Sequence, residues 1–327
     1  MASKTLMYAV SLLLLVSGAF VCEATLSPTF YDVICPKAAA AIRNIVRTAV
    51  SRERRMAASL VRLHFHDCFV QGCDGSVLLD ETATIRSEKF SFANNNSIRG
   101  FNVIDEAKRA VEKLCPQKFS CADIIALAAR DATVAVGGPT WTVKLGRRDS
   151  TTANRALADR DIPNSFHDLP VLIARFAAKG LNTREMVALS GSHTLGQSRC
   201  ISFRARLYGG NGTNIDPNFA RMRRRGCPPA GGGGDFNLAP LDLVTPNSFD
   251  NNYFRNLQQR KGLLNSDQVL FNWSFGSDRQ HRYLTTSKGR RFLLQNLLQP
   301  MVKMGDISPL TGINGIIRAA WCCSALN

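Results

Sequence analysis

The chain of 327 residues is long enough for a large buried core, built either as one domain or as two lobes that fold together. Beyond the N-terminus, no stretch supplies the about 20 uninterrupted apolar residues of a membrane-spanning helix, which excludes a helical membrane protein. The formal net charge of +16 at pH 7 attracts polyanions, although a merely solvated basic surface explains it equally well.

The first 24 residues have the pattern of a secretory signal peptide. Lys4 precedes an apolar run from Leu6 to Val16, and small residues follow before Cys22-Glu23-Ala24. The pattern predicts cleavage after Ala24 and a secreted, soluble product. Because the product is exported, acidic polysaccharide rather than nucleic acid is the expected polyanion.

Loss of Cys22 with the signal peptide leaves an odd number of cysteines in an oxidising compartment. An odd number predicts disulfide bonds with one cysteine left over, and the adjacent Cys322 and Cys323 compete for one partner. The spacing alone leaves the pairing open. Sequons for N-linked glycosylation begin at Asn95, Asn211 and Asn272.

Helical periodicity dominates the chain and predicts a mainly α fold. Apolar residues three and four apart predict helices over residues 37 to 54, 56 to 69, 101 to 114 and 121 to 135. Asn182 and Glu185 have the spacing of a capping box, which predicts a helix that ends near Gly191. The best alternating strand pattern, Thr140 to Leu145, is short.

Turn-forming residues predict loops around residues 85 to 100, 146 to 170 and 209 to 250. The third region includes the basic run Arg221 to Arg225, which we expect in an exposed loop, and the glycine tract Gly231 to Gly234. The region from 146 to 170 is the expected boundary between an N-terminal and a C-terminal lobe.

Arg62 and His66 are four residues apart in a predicted helix, so they share one of its faces. The permanent charge of an arginine lowers the pKa of a neighbouring imidazole, which keeps His66 neutral. His66 is therefore a candidate base, and Arg62 is a candidate stabiliser of an anion. Taken alone, the pair is more simply explained as a polar stripe at an interface between lobes.

Oxygen-bearing residues follow this helix in the segment from Asp67 to Ser76, where Cys68 and Cys73 are spaced to close a tight loop. Calcium binds carboxylate, hydroxyl and carbonyl oxygens in a constrained loop. The spacing is not that of an EF-hand, and acidic residues also cap helices and form turns. The segment is thus either a calcium site or a capped turn.

His193 follows the helix that is predicted to end near Gly191, and Gly196 comes three residues later. Glycines at these positions permit the close approach of a flat group. An isolated histidine is more often a packed or surface residue, so His193 becomes a candidate ligand only through the motifs around it.

Six motifs occur in an order that is found in one family. They are Arg62-Leu-His-Phe-His-Asp-Cys-Phe-Val-Gln-Gly-Cys73, Arg99-Gly-Phe101, Leu145-Gly-Arg-Arg-Asp149, Ala188-Leu-Ser-Gly-Ser-His-Thr194, Phe249-Asp-Asn-Asn-Tyr253 and Met304-Gly-Asp-Ile-Ser-Pro-Leu-Thr311. With these motifs the chain resembles the class III secretory plant peroxidases from about Leu26 to Ile317. The resemblance implies a mainly α, two-lobed haem peroxidase domain over residues 25–327 with few short strands. Haem b would lie between a distal lobe of about 25–165 and a proximal lobe of about 166–327.

The resemblance implies that Arg62, Phe65 and His66 lie on the distal side of the haem. There the histidine moves a proton between the two peroxide oxygens, and the arginine stabilises charge as the O–O bond breaks. Asn94 corresponds to the asparagine that fixes the tautomer of this histidine, with Glu88 in support. In this chain Ala93 replaces the proline that the family usually has before that asparagine.

On the proximal side, His193 corresponds to the iron ligand, and Asp267 to the carboxylate that accepts its other N–H. Pro163 corresponds to a position whose carbonyl contacts aromatic donors at the exposed haem edge. The implied disulfides join Cys35 with Cys115, Cys68 with Cys73, Cys200 with Cys227, and Cys121 with Cys322 or Cys323.

The resemblance also implies two calcium ions. The distal ion would be held by the side chains of Asp67, Asp74 and Ser76 and the carbonyls of Val70 and Gly72, with Glu88 in its second layer. The proximal ion would be held by Thr194, Asp242, Thr245, Asp250 and the carbonyl of Ser248. Both sites adjoin a histidine that faces the haem.

The implied function is that of a secreted enzyme of the cell wall space that reduces hydrogen peroxide to water and oxidises small phenolic donors by one-electron steps. Peroxide catabolism, the response to oxidative stress and cell-wall cross-linking are the expected roles. We expect a monomer that binds neither nucleic acid nor membranes, with acidic wall polysaccharide as a further partner.

The chain departs from the family pattern between Phe271 and Pro300. This departure supports a second hypothesis, a basic wall-binding haem protein with little or no turnover. A haem carrier or sensor is disfavoured, because Arg62, His66 and Asp267 together serve O–O cleavage rather than reversible ligand binding.

Overall fold

The structure is a computed structural model and describes residues 25–209, 214–271, 289–319 and 321–323. The predicted signal peptide, the sequons at Asn211 and Asn272, and most of the departure after Phe271 lie outside the described residues. Within the described residues, no helix has both the length and the apolar character needed to cross a membrane.

Four helices confirm the periodicity of the N-terminal half. They are α1 (Ala38–Arg52), α2 (Met56–Phe69), α3 (Phe101–Leu114) and α4 (Cys121–Ala135). Ser120 begins α4, because its hydroxyl accepts the N–H of Asp123 at 3.2 Å. Helix α4 is buried along most of its length and packs against α1, α2 and α3, which fixes the position of α2.

The second half contains further helices, most of which are shorter. They are α5 (Arg155–Asp161), α6 (Leu169–Ala178), α7 (Thr183–Ser190), α8 (Arg204–Tyr208), α9 (Pro217–Arg224), α10 (Asn252–Gln258), α11 (Asn265–Gln268) and α12 (Gly289–Gly305). The capping box of α7 is confirmed: Asn182 Oδ1 accepts the N–H of Glu185 at 2.9 Å, and the Glu185 carboxylate accepts the N–H of Asn182 at 2.7 Å.

The strand expected over Thr140–Leu145 is wrong, because this segment makes only a single bridge, between Leu145 and Ser27. The strands are β1 (Gln197–Arg199) and β2 (Leu238–Pro240), which pair antiparallel with Ser198 opposite Ala239. Three residues are too few to show an alternating pattern, so these strands left no signal in the sequence.

Two of the three predicted loop regions contain helices. Helix α5 and the start of α6 lie within 146–170, and α9 lies within 209–250. The basic run Arg221–Arg225 therefore belongs largely to the last turn of α9 rather than to a loop. Asp216 begins this helix by accepting the N–H of Phe219 at 2.8 Å, and the C-terminal end of a helix favours cationic side chains.

The hydrophobic core crosses the predicted boundary between lobes. One buried cluster includes Leu63 and Ile125 from the N-terminal half and Val187, Tyr253 and Met304 from the C-terminal half. A second cluster lies between residues 200 and 264, around the β1–β2 pair. The two halves therefore share one core, and the division at about residue 165 stays a prediction.

Disulfide bonds of the described residues join Cys35 with Cys115, Cys68 with Cys73, Cys121 with Cys322, and Cys200 with Cys227. Cys322 is 1% exposed, whereas Cys323 is only partly buried, and the Cys322 backbone is held by Asp105 at 3.2 Å and Arg318 at 2.7 Å. Cys323 is left as a free thiol.

Candidate active site

Arg62 and His66 share one face of α2 and bond to each other, with Arg62 Nε donating to His66 Nε2 over 3.1 Å. The other imidazole nitrogen, Nδ1, is hydrogen-bonded to Asn94 Oδ1. Since the Asn94 amide group donates to the carbonyl of Glu88 at 2.9 Å, its oxygen is the atom that faces the ring. These bonds place the proton on Nδ1 and leave the lone pair on Nε2.

Burial lowers the pKa of His66 well below the usual value, and the charge of Arg62 lowers it further. His66 is therefore a neutral imidazole at pH 7 with its basic nitrogen beside a cation. Burial, with the charges of Arg199 and Arg55, also lowers the pKa of Arg62 to about 10, which leaves the guanidinium charged.

The loop that carries Asn94 also holds the guanidinium of Arg62. Arg62 Nη2 donates to the carbonyl of Ala93 at 2.7 Å, and Nη1 donates to the carbonyl of Ser97 at 3.1 Å. The replacement of proline by Ala93 thus keeps the carbonyl that Arg62 uses. Asn94 is fully buried, so one short loop fixes both members of the distal pair.

Phe65 lies beside His66 on α2, with their ring centroids 5.4 Å apart. It packs against Phe69 at 4.3 Å and against Phe176 of α6 at 6.2 Å. This aromatic cluster borders the distal pair with apolar surface, as a bound planar ring requires.

His193 lies in a 3₁₀ turn, Gly191–Thr194, directly after α7. Its Nδ1 is 2.7 Å from Asp267 Oδ1, and Asp267 also accepts the hydroxyl of Tyr253 at 3.0 Å and the N–H of Leu264 at 3.2 Å. Asp267 is 1% exposed, so it is a buried anion fixed by three donors. The second ring nitrogen of His193 has no hydrogen-bond partner among the described residues.

The two histidines face a common region of the molecule. Helix α2, which carries His66, packs against the Gly191–Thr194 turn, which carries His193. Gly196 permits this packing, since at φ +95° a Cβ there would lie 2.8 Å from Cβ of Ala58 on α2. Here the glycine admits a neighbouring helix, whereas the sequence suggested a flat group.

Arg55 and Arg199 are charged residues that sequence reasoning missed. Both act electrostatically on Arg62, and Arg199 has no acidic partner among the described residues. Arg55 is balanced by the nearby Glu53, whereas the Arg199 guanidinium is free to face a ligand with carboxylates, such as the propionates of haem. No sequence signal identifies Arg199, because it comes from the β1 strand that the sequence did not predict.

The oxygens expected to hold the distal calcium form a buried cluster at the C-terminal end of α2 and in the chain that follows it. Asp67, Asp74, Ser76 and Glu88 are at most 2% exposed, and among the described residues Asp67 Oδ1, Ser76 Oγ and Glu88 Oε2 have no hydrogen-bond partner. Burial raises the pKa values of Asp67 and Asp74 and raises that of Glu88 to about 8. A hard cation would satisfy these oxygens and offset the cost of burying the carboxylates.

The carbonyls of Val70 and Gly72, which the sequence assigns to the same set, lie in the loop closed by Cys68 and Cys73. Gly72 has φ +124° and approaches residue 308 so closely that a Cβ would lie 2.2 Å from the Ser308 carbonyl oxygen. The carbonyl of Val70 accepts a long hydrogen bond of 3.4 Å from Lys179. The loop is thus held in one conformation against the chain that follows α12.

The proximal set converges around two carboxylates. Thr194 Oγ1 is 2.9 Å from Asp242 Oδ2, and Thr245 Oγ1 is 2.7 Å from Asp250 Oδ2. Ser248 lies in the same turn, with its N–H donating to the Thr245 carbonyl at 3.1 Å. In the described residues no three His, Cys, Asp or Glu side chains form a metal-binding group.

Pro163 is half-buried in the loop after α5. Phe166 of the same loop is 59% exposed and lies 6.2 Å, ring to ring, from Phe92, which is 67% exposed. Phe92 is two residues from Asn94, so this exposed aromatic pair adjoins the distal loop. Sequence reasoning missed both phenylalanines, because an isolated exposed ring has no periodic signal.

Comparison with known proteins places these features in a family. The model of the peroxidase family matches residues 42–283. The chain is 60% identical over 314 residues to the lignin-forming anionic peroxidase of Nicotiana sylvestris, which covers 96% of this chain and 95% of that protein. It is 57% identical over 308 residues to peroxidase 5 of Arabidopsis thaliana, 94% of each chain. It is 53% identical over 293 residues to peroxidase P7 of Brassica rapa subsp. rapa, 90% of this chain and 97% of that protein.

The family match covers most of the chain, and these plant relatives align with nearly its whole length. The mainly helical fold agrees with this family, and membership implies a haem cofactor. The chain belongs to the peroxidase family and is a class III plant peroxidase.

Proposed function

We propose that this chain is a secreted haem b peroxidase in which His66 and Arg62 act on hydrogen peroxide and His193 binds the iron. The observation that carries the proposal is the pair of oriented histidines. His66 is held by Asn94 with its Nε2 lone pair beside Arg62, and His193 is held by Asp267 with one ring nitrogen left for a metal.

The bound haem supplies the redox chemistry, and the protein supplies proton transfer and charge stabilisation. His66 Nε2 accepts the proton of one peroxide oxygen and delivers it to the other, which leaves as water. Arg62 stabilises the negative charge that develops as the O–O bond breaks. Asn94 keeps Nδ1 protonated, so that Nε2 is the nitrogen that accepts and then releases the peroxide proton.

Two phenolic donors complete the turnover, each giving one electron and one proton. One hydrogen peroxide and two phenols thereby yield two waters and two phenoxyl radicals. The exposed pair Phe92 and Phe166, next to Pro163, offers aromatic surface on which a phenol can stack.

Calcium is proposed at both oxygen clusters. The unpartnered oxygens of Asp67, Ser76 and Glu88 support the distal ion, with Val70 and Gly72 supplying carbonyls. The proximal ion is supported by side chains that converge on Thr194, next to His193. They are those of Asp242, Thr245 and Asp250, and Ser248 would supply a carbonyl. The distal ion would stabilise the end of α2, which carries His66, and the proximal ion would stabilise the Gly191–Thr194 turn, which carries His193.

Residues 1–24 are proposed as a signal peptide that directs the monomeric enzyme to the cell wall space. The relative named as lignin-forming supports a role in wall cross-linking. Acidic wall polysaccharide is proposed as a partner of the exposed arginines Arg221, Arg224 and Arg225 at the end of α9. Neither nucleic acid nor a membrane is proposed as a partner.

The test is a Soret spectrum of the purified, haem-loaded protein, followed by peroxide-dependent oxidation of guaiacol. We expect a high-spin ferric spectrum and rapid guaiacol turnover, with haem binding lost in His193→Ala. A haem-loaded but inert protein would support the second hypothesis, a wall-binding haem protein, and contradict the proposal.

A further inference from the structure

Asp267 Oδ1 is shared by two donors. His193 Nδ1 lies 2.7 Å from it and the Tyr253 hydroxyl 3.0 Å, whereas the Leu264 N–H donates to the other oxygen, Oδ2, at 3.2 Å. The phenol therefore competes with the imidazole for electron density on one carboxylate oxygen. A second donor at the same oxygen weakens the bond that this oxygen makes with the first.

Tyr253 reaches the proximal histidine only through Asp267. The rings of Tyr253 and His193 are perpendicular with centroids 6.1 Å apart, and no hydrogen bond joins them. Tyr253 is 1% exposed, so water does not replace its hydroxyl as the donor to Asp267. Its contribution is therefore fixed by the fold.

The position of the phenol is set by α10. Asn252 of this helix donates to Thr245 Oγ1 at 3.0 Å, and Asn256 donates to Asp242 Oδ1 at 2.9 Å. These bonds tie both sides of residue 253 to the proximal oxygen cluster. The helix consequently presents the Tyr253 hydroxyl to Asp267 in one orientation.

We infer that Tyr253 is a positioning residue that limits how strongly Asp267 draws the Nδ1 proton of His193, and so limits electron donation from His193 to iron. The inference rests on the proposed role of His193 as the iron ligand. A ligand with stronger imidazolate character favours high oxidation states of iron. The hydrogen bond from the Tyr253 hydroxyl to Asp267 thus keeps electron donation from His193 to the iron at an intermediate level.

The test is Tyr253→Phe, which removes one oxygen atom and keeps the ring. The readout is the iron–histidine stretching band in the resonance Raman spectrum of the ferrous haem protein, together with the ferric/ferrous midpoint potential. Without the phenol, Asp267 accepts more strongly from His193. The band is expected to move to higher frequency and the potential to fall.

Two variants calibrate this measurement. Tyr31→Phe is the matched control, since Tyr31 is also buried and donates to a buried carboxylate, Asp123 Oδ2, at 2.9 Å. It should lose a similar amount of thermal stability and leave the band unchanged. Asp267→Asn removes the anion and should move the band to lower frequency.

Should Tyr253→Phe fail to take up haem, wild-type protein made with 3-fluorotyrosine provides a second test. Fluorination makes the phenol a stronger donor, so the band should move down instead of up. If the band of Tyr253→Phe has the wild-type frequency while that of Asp267→Asn is shifted, the inference about Tyr253 is overturned and the ligand role of His193 is not. A band that is unmoved in Asp267→Asn as well would overturn the proposed ligand role of His193.

Discussion

At the scale of single residues, burial decides the protonation states that the chemistry needs. His64 and His66 are two residues apart on α2, and both are almost fully buried. Burial is the largest cause of the lowered pKa in each, and the second cause is an arginine, Arg147 for His64 and Arg62 for His66. Both imidazoles are neutral at pH 7, and only His66 is placed to use its lone pair.

The lowered pKa of His64 predicts that the free energy of unfolding falls in acid. This pKa is lowered from 6.5 to about 3 in the folded protein, so between these values the unfolded chain binds a proton that the folded chain does not. The contribution of His64 to the free energy of unfolding is therefore constant above pH 6.5 and is lost as pH falls towards 3, by about 1.4 kcal/mol per pH unit. His64→Gln should flatten this part of the curve, measured by urea unfolding between pH 4 and 7. Parallel curves for the variant and the wild type would refute the assignment.

Several site residues were predictable from the sequence because local spacing or a motif identifies them. Arg62 and His66 share a helical face, and the motif around His193 is specific. Arg199 and Tyr253 were not predictable as site residues, because their roles depend on which elements the chain brings against Arg62 and Asp267. A side chain whose partner is distant in the sequence leaves no periodic signal.

At the scale of elements, helices with strong periodicity were predicted almost to the residue, as α2 and α4 show. Two of the elements that were not predicted are short. Helix α9 follows turn-forming residues and has eight residues, and β1 has three. Elements of this length are stabilised by tertiary contacts more than by their own sequence.

The loop after α2 gives a test of backbone geometry. In Gly72→Ala the new Cβ would clash with the Ser308 carbonyl, 2.2 Å away, whereas at Gly137, also at positive φ, no atom lies within 4 Å. Both variants incur backbone strain of about 1 kcal/mol or more, and only Gly72→Ala adds a clash. Thermal melting should therefore show a much larger loss for Gly72→Ala. Equal losses would show that the approach of Ser308 does not constrain this loop.

The two oxygen clusters predict two bound calcium ions, and a substitution in one cluster should remove only the ion of that cluster. Atomic spectroscopy should find two ions in the wild-type protein and one in each of Asp67→Asn and Asp250→Asn. Prolonged chelation should lower both the melting temperature and the peroxidase activity, because each cluster adjoins a histidine of the site. Full activity in a calcium-free preparation would contradict the proposed role of the ions.

At the scale of the whole molecule, charge distinguishes this chain from one of its relatives. The Nicotiana sylvestris relative is named as anionic, whereas this chain has a formal net charge of +16 at 60% identity. Fold and active site depend on buried residues, so surface charge can change without altering them. The proposed polyanion partner therefore depends on this chain's own surface charge.

Binding to polygalacturonate should consequently be strong at low ionic strength and weaken as salt is added. Replacing Arg221 and Arg225 of the basic run by Glu should weaken binding more than replacing Arg47 and Arg52 by Glu. The two double variants change the net charge equally, and all four arginines are exposed. Equal losses would assign binding to net charge alone, and no binding at low salt would exclude this partner.

The central claim is that His66 transfers the proton of hydrogen peroxide. Stopped-flow mixing of haem-loaded protein with peroxide, followed in the Soret band, measures this step directly. We predict that His66→Leu reacts at least about 100-fold more slowly than wild type, while His167→Leu, with its histidine outside the distal pair, reacts at the wild-type rate. A His66→Leu variant with full haem content and a wild-type rate would contradict it.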